Sequence, residues 1–346
     1  MGRKNKEYQK DLHQQAYDRL KSMEAYGKSK KEAMRAGTAK DKIYSYNTFK
    51  TYWKHIRYFV DWVKKEHPES TTLKAAKKYV NEWLDHRAAS CNQKGEPLSA
   101  WTIQTEAKAL GKMYGITPDD PDYYVPPVRE RSAIKRSRND VVRDSHFSVS
   151  KNADFVTFCQ ATGLRRCEIT RLTGKDLVRR SALERRITDL GEKTSLTEEE
   201  QKQLKMLDDI RLFPGCEHFI YVKRGKGGRQ RLVPLCLGDE ESKLVIAKMS
   251  SVGREDKVWP KVPKNADIHS YRADFATAVY KKYAREIGSI PYDVVNRGTG
   301  RKYQSQVYIC RKDAYKKLDR AAMLQASKAL GHNRLDVVAT NYLRNL

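Results

Sequence analysis

The sequence predicts a mainly α fold with a small β-hairpin or sheet, an α+β chain in two domains. Three observations predict it. Apolar residues recur at helical spacing through the first third of the chain, and a basic segment with four prolines then interrupts the pattern. Beyond it, two strand-like runs flank Gly225-Lys226-Gly227-Gly228. At 346 residues the chain is long enough for two domains of ordinary size, each with its own core.

In order along the chain, residues 1–40 form a charged arm. Leu12, Ala16, Leu20 and Met23 keep helical spacing in it, which reads as an exposed helix or a partly disordered segment. A helical domain follows over 41–116. Between Tyr44 and Val63 an apolar stripe of Phe49, Tyr52, Trp53, Ile56, Phe59, Val60 and Val63 is interleaved with Lys50, Lys54 and Arg57. The segments Thr71 to Arg87 and Ser99 to Tyr114 repeat the amphipathic pattern, so a small bundle is expected. The aromatic stripe is assigned to core packing and the three basic residues to DNA contact. Residues 117–146, with Pro118, Pro121, Pro126 and Pro127 and a basic run including Arg136 and Arg138, read as a linker. Such a linker is either solvated or laid along a nucleic-acid backbone.

The second domain, 147–346, opens with a short helix from Asn152 to Ala161 and a natural C-cap at Gly163. Arg165 falls near the start of the next helix, where free N–H groups favour a phosphate. Phe219 to Lys223 and Arg229 to Leu235 read as strands of a hairpin with the glycine-rich tip between them. Helices are expected at Ile268 to Tyr283, Lys317 to Ala329 and Leu335 to Leu343. A charged helical stretch lies around Leu196 to Leu212, and a strand around Tyr303 to Cys310.

A net charge of +26 attracts polyanions, and nucleic acid is the first candidate because neutralised phosphates release counterions. No long apolar run supports a membrane, and the opening Met1-Gly2-Arg3-Lys4-Asn5-Lys6 has no apolar segment behind it. The six cysteines contain no Cys-x-x-Cys pair, so neither a disulfide framework nor a zinc site is indicated, and reduced thiols are expected.

Four islands carry the chemistry. They are Ala161-Thr162-Gly163-Leu164-Arg165-Arg166-Cys167-Glu168-Ile169, the Gly225–Gly228 tip with Lys226, His269-Ser270-Tyr271-Arg272, and Leu330-Gly331-His332 with Tyr342 beyond it. Arginine suits a crowded phosphoryl transition state, since its planar fork donates two hydrogen bonds and keeps its charge. Arg165 and Arg272 are therefore assigned to that role. Among 69 Lys and Arg residues each is also readable as a surface cation. Glu168, one turn after Arg165, either orients it or forms an ordinary helical ion pair. His269 and Arg272 share one helix face. Lys223 and Arg229 compete with Lys226 as cations at the hairpin.

In this order the islands resemble the tyrosine recombinase, or integrase, family. The match covers roughly the C-terminal 200 residues, and the helical first half resembles the family's core-binding domain in pattern only. The resemblance implies a C-shaped two-domain clamp around double-stranded DNA and transesterification without metal, ATP or other cofactor. It makes Tyr342 the nucleophile, joined to a 3′ phosphate. Lys226, on a hairpin in the minor groove, becomes the general acid for the leaving 5′ oxygen. His332, Arg165 and Arg272 supply a positive field and His269 receives the proton. A homotetramer on two recombination sites, a Holliday junction, room for an accessory directionality factor and a bacterial, cytoplasmic, nucleoid-associated setting are also implied. The expected function is integration or excision of a mobile element.

Three departures stand out. The stretches from Arg165 to Lys226 and from Arg272 to His332 are longer than in compact relatives. Only Leu343 to Leu346 follow Tyr342, which leaves the interlocking of protomers open. The N-terminus also lacks the alternating strands of a phage-type arm-binding domain. A type IB topoisomerase and a non-catalytic DNA-binding regulator derived from an integrase are the alternatives.

Overall fold

The computed structural model describes residues 10–129, 146–225, 228–310, 315–332, 334–343 and 346. The chain divides into two compact units, Met1–Glu130 and Arg131–Leu346. Both are built mainly of helices, and among the described residues the strands belong to three small antiparallel sheets in the second unit.

In the first unit, helices α1 (Leu12–Lys21), α2 (Lys30–Arg35), α3 (Tyr46–Glu66), α4 (Leu73–Ala76), α5 (Val80–Ala89) and α6 (Ala100–Tyr114) follow one another. The spacing of Phe49, Ile56, Phe59, Val60 and Val63 turns one face of α3 inward. Trp83 and Leu84 of α5 and Ala107, Leu110 and Met113 of α6 join the same core. The first charged segment is not an exposed arm. Leu12, Ala16 and Leu20 of α1 and the following Met23 are buried in that core, because their spacing aligns them on one side of the helix. Asp11 caps α1 by accepting from the His13 N–H at 3.1 Å. The expected helix from Thr71 to Arg87 is divided by a 3-10 turn at Lys77–Tyr79, where the Tyr79 ring stacks on His67 at 3.6 Å.

Glu106 is fully buried on the inner side of α6 and is answered by two partners. His55 Nδ1 lies 3.1 Å from one oxygen, and Arg87 donates from Nε and Nη2 at 3.0 and 2.9 Å. Burial alone would raise the Glu106 carboxyl, but His55 and Arg87 outweigh it and hold it below its usual range.

The second unit begins with α7 (Ala153–Thr162), whose C-cap Gly163 takes the left-handed conformation. Then come α8 (Arg166–Ile169), β1 (Leu177–Arg179), α9 (Arg180–Gly191), α10 (Glu198–Leu207), β2 (His218–Val222), β3 (Arg231–Pro234), α11 (Asp239–Ser250) and α12 (Ile268–Tyr283). Two small hairpins follow, β4 (Val294–Val295) with β5 (Lys302–Tyr303) and β6 (Val307–Cys310) with β7 (Lys316–Asp319). Helices α13 (Arg320–Leu330) and α14 (Leu335–Asn341) complete the unit.

The expected hairpin is present, with Phe219 opposite Pro234 and Val222 opposite Arg231, and β1 adds a third strand beside β2. In the charged stretch around Leu196 to Leu212, Met206, Leu207 and Ile210 enter the unit's core, as do Leu183 and Leu190 of α9. The helix expected from Lys317 starts at Arg320 instead. Lys316–Asp319 pairs with β6, and Asp319 then caps α13 through the Ala321 N–H at 2.9 Å. Asp319 also receives Nε and Nη2 of Arg285, each at 2.8 Å.

Replacing Glu106 by Ala removes the carboxylate shared by Arg87 and His55, at a cost of roughly 3 kcal/mol. Four of the five tryptophans, at 53, 62, 83 and 101, lie in the first unit. Glu106→Ala is therefore expected to shift the tryptophan-fluorescence unfolding transition to lower urea; an unchanged midpoint would contradict this account.

Candidate active site

The site is assembled where two helices stop. Helix α7 ends at Gly163 with φ +54°, and α13 ends at Gly331 with φ +72°, both in the region that only glycine enters freely. Space imposes the same choice. A Cβ on Gly163 would stand 2.3 Å from the Phe275 ring, and one on Gly331 would stand 2.7 Å from Arg231 Cδ. Each helix end leaves carbonyls without intrahelical donors. Arg272, only 2% exposed on α12, answers both ends by donating Nη1 to the Gly163 carbonyl and Nη2 to the Leu330 carbonyl. Its Nε–H is buried with no hydrogen-bond partner among the described residues. Burial and the charges of Arg231 and Arg165 lower its pKa to about 9, which leaves it protonated at neutral pH, and Tyr342 opposes the shift.

A second buried arginine holds the neighbouring carboxylate. Glu168, 4% exposed, accepts Arg231 Nη1 and Nη2 at 2.7 and 2.8 Å in a two-pronged pair. Arg231 Nε donates to the Ala329 carbonyl at 3.0 Å, so this guanidinium also closes the end of α13. Arg165, the N-cap of α8, donates its backbone N–H to Glu168 at 2.8 Å and its Nη1 at 2.8 Å. Burial would raise Glu168, but Arg231 and Arg165 win and hold it at about 2. Glu168 thus positions two arginines. Sequence reasoning missed Arg231; its one signal was an arginine beginning the otherwise apolar run Leu232-Val233-Pro234, hard to single out in so basic a chain.

Tyr342 sits just past α14 as its C-cap and is 6% exposed. Its hydroxyl lies 3.2 Å from His332 Nε2, and the Arg272 guanidinium lies 5.6 Å from its ring centre. The His269 ring centre is 5.4 Å from that of Tyr342. Thr277, five residues beyond Arg272 on α12, donates to the Tyr342 carbonyl at 3.3 Å. His332 is fixed by its N–H to the Ser327 carbonyl at 2.8 Å, with Ser327 Oγ returning to the His332 carbonyl at 3.1 Å. Burial and the fields of Arg272, Arg165, Arg231 and Arg229 bring His332 down to about 4, so its imidazole is neutral at pH 7.

The structure therefore brings together Arg165, Glu168, His269, Arg272, His332 and Tyr342. His332, rather than His269, makes the hydrogen bond to the phenol. Lys226 lies outside the described residues, as do Arg136 and Arg138. The root of the tip is described: Gly225 donates to the Arg229 carbonyl at 2.7 Å, and a Cβ on Gly225 would fall 3.3 Å from Glu168 Oε1. Of the hairpin cations, Lys223 pairs with Asp176 at 3.2 Å and Arg229 donates to the Gly331 carbonyl at 3.2 Å. Lys50, Lys54 and Arg57 are exposed on the outer side of α3 in the first unit, apart from these groups in sequence. Among the described residues no cluster of His, Cys, Asp or Glu is arranged to hold a metal ion, and no helix is long and apolar enough to cross a membrane.

No family model matches the chain, and no curated protein does. Among solved structures it is similar to the crystal structure of XerA recombinase, with a TM-score of 0.26 and 13% identity over 96% of this chain and 94% of that one. A likeness of that size is too slight to assign a fold.

Acid should loosen this site in two stages. His332 is held below its unfolded value of 6.5, so the unfolded chain binds the extra proton first and stability falls between pH 6.5 and about 4. Glu168 adds a second loss as pH falls from 4.5 through about 2. Protection factors of peptides from α12 and α13, hydrogen exchange corrected for its intrinsic slowing in acid, are expected to fall over the upper window in wild type and much less in His332→Gln. An equal fall in both would remove His332 as the cause.

Proposed function

We propose that this chain is a site-specific DNA recombinase that cuts and rejoins strands through a 3′-phosphotyrosine at Tyr342. The observation that carries this reading is the 3.2 Å contact between the Tyr342 hydroxyl and a neutral His332, beside the buried Arg272 guanidinium. A free phenol has a pKa near 10 and is a poor nucleophile at neutral pH. A neutral imidazole within hydrogen-bond reach accepts its proton, and the cations around it favour the phenolate.

In this reading the Tyr342 oxygen attacks the phosphorus, its proton passes to His332 Nε2, and the bond to the 5′ oxygen breaks. Arg165 and Arg272 take the charge that builds on the non-bridging oxygens. His269, with its ring centre 5.4 Å from that of Tyr342, is a further donor to the phosphate. Lys226, at the hairpin tip, protonates the departing 5′ oxygen. A 5′ hydroxyl from a partner strand then attacks the phosphotyrosine, Tyr342 recovers its proton, and the strand is rejoined. The phosphodiester energy is kept in the covalent intermediate, so this sequence of steps needs no ATP.

The assignment of Arg272 is narrower than a free two-pronged clamp. Two of its five N–H donors are committed to helix-end carbonyls, and Nε–H is buried without a hydrogen-bond partner among the described residues. DNA is the partner that suits a net charge of +26. Lys50, Lys54 and Arg57, at helical spacing on the outer side of α3, and Lys223 and Arg229 at the hairpin are the backbone contacts proposed, with Arg136 and Arg138 of the basic proline-containing segment. Exchange between two sites calls for four protomers on two duplexes and a Holliday junction, with integration or excision of a mobile element as the outcome and an accessory factor setting direction.

The test uses nicked duplexes drawn from the DNA flanking the gene. Wild type is expected to form a covalent adduct on a denaturing gel, and Tyr342→Phe to bind equally but form none. An adduct that survives in Tyr342→Phe would remove the tyrosine from its role. Adducts that only reseal, without joining strands from two sites, would point to a relaxing topoisomerase; binding with no adduct would point to a regulator.

Two further outcomes follow from the assigned roles. Arg165→Ala and Arg272→Ala are each expected to slow cleavage by about 10²-fold or more in single-turnover assays. Lys226→Ala is expected to slow cleavage far more with a 5′-hydroxyl leaving group than with a 5′-thiol, and equal losses would exclude the acid role.

A further inference from the structure

At the open end of the hairpin, away from its glycine-rich tip, stand two cysteines with no part in the chemistry above. Cys216 precedes β2 and Cys236 follows β3. The pairing of Phe219 with Pro234, extended by the Leu235 N–H to the His218 carbonyl at 3.0 Å, brings these two chain ends side by side. Their thiols interact directly with each other. Cys216 is buried and also points Sγ at the His218 carbonyl, 3.1 Å away. Cys236 is half-buried, and its Sγ lies 3.2 Å from the Tyr283 hydroxyl.

Cations from two helices surround the pair. Lys282 of α12 donates to the Cys236 carbonyl. Arg180 of α9 donates Nε to the Cys216 carbonyl at 2.8 Å and Nη2 to the Phe213 carbonyl at 2.5 Å. Hydrogen bonding from Cys216, then from Tyr283, and the charges of Lys282 and Arg180 pull the Cys236 thiol below its ordinary value, while Cys216 is pushed up. The more accessible sulfur is therefore the more acidic of the two and the buried one the less acidic. That division suits an attacking and a resolving cysteine.

We propose that Cys216 and Cys236 form a reversible dithiol–disulfide couple at the root of the hairpin, closed by a hydroperoxide and reopened by a thiol reductant. Cys236 sulfur attacks the terminal peroxide oxygen, an S–O bond forms as the O–O bond breaks, and the peroxide leaves as an alcohol, or as water from hydrogen peroxide. Cys216 sulfur then attacks the Cys236 sulfenic acid. The S–S bond forms, the S–O bond breaks, and hydroxide leaves as water with the Cys216 proton. Two thiols lose two electrons and the hydroperoxide gains them. A thiolate reductant reverses the step through a mixed disulfide. The closed form would tie together the two ends of a loop that contains β2, the Gly225–Gly228 tip and β3. This couple stands on its own geometry and does not depend on the recombinase reading.

The experiment treats reduced full-length protein with equimolar hydrogen peroxide, alkylates the remaining thiols and maps peptides without reduction. The expected product is an intramolecular Cys216–Cys236 peptide that disappears on treatment with dithiothreitol. Cys216→Ser is expected to leave Cys236 as a sulfenic acid that dimedone traps, and Cys236→Ser to leave Cys216 alkylatable. Closure should raise the thermal midpoint of wild type by roughly 5 °C and that of neither variant. Oxidation confined to the exposed Cys91 and Cys167, with Cys216 and Cys236 still alkylated in wild type, would overturn the proposal whether or not the variants fold.

Discussion

The second unit turns on a single buried cation. Arg272 is packed between the ends of α7 and α13, and its two terminal nitrogens close both. Taking a guanidinium out of water costs several kcal/mol. Hydrogen bonds to a charged group return about 1.5–3 kcal/mol each, and the negative ends of two helix dipoles add to them. The terms nearly cancel, so Arg272 is not explained by net stability. What it provides is registry: α7, α12 and α13 meet at one point. The glycines at 163 and 331 let them do so, because any side chain there would strike Phe275 or Arg231.

The same logic explains an excess of positive charge at one place. Arg272, Arg165, Arg231 and Arg229 all act on His332, and the one carboxylate beside them, Glu168, is already saturated by Arg231 and Arg165. A neutral His332 is the consequence, since a further proton there would meet four guanidinium groups. The cluster is short of negative charge by construction. In the function proposed above, a phosphate of DNA makes good that deficit.

Much of this was legible in the sequence, and the failures have physical causes. Helix α12 was readable to its ends because its apolar spacing, the N-cap Asp267 and last-turn lysines agree. The hairpin was readable because glycines separate two β-rich runs. Arg231 was not, since burial of an arginine depends on a carboxylate 63 residues away that chain order does not reveal. Leu12, Ala16 and Leu20 had the right spacing, but surrounding charge masked a stripe only one residue wide. Asp319 misled in the other direction: Lys316–Asp319 has the composition of a helix start and is drawn into a strand by pairing with Val307–Cys310. The distance from Tyr342 to His332 was invisible, because it is set by the turn between α13 and α14.

The way Tyr342 is mounted has a mechanical meaning. A residue in mid-helix is locked by the ladder on both sides, and moving it means unwinding its neighbours. Tyr342 is instead placed one step past the last helical residue, where its own N–H and that of Leu343 share a single acceptor, the Val338 carbonyl, at 3.0 and 3.1 Å. Leu343, buried, serves as the peg beyond it. The phenol is therefore hung on a one-residue swivel between a helix end and a peg. Turning it costs the two bonds to the Val338 carbonyl, the Thr277 bond to its own carbonyl and the His332 contact, none of which belongs to the ladder inside α14.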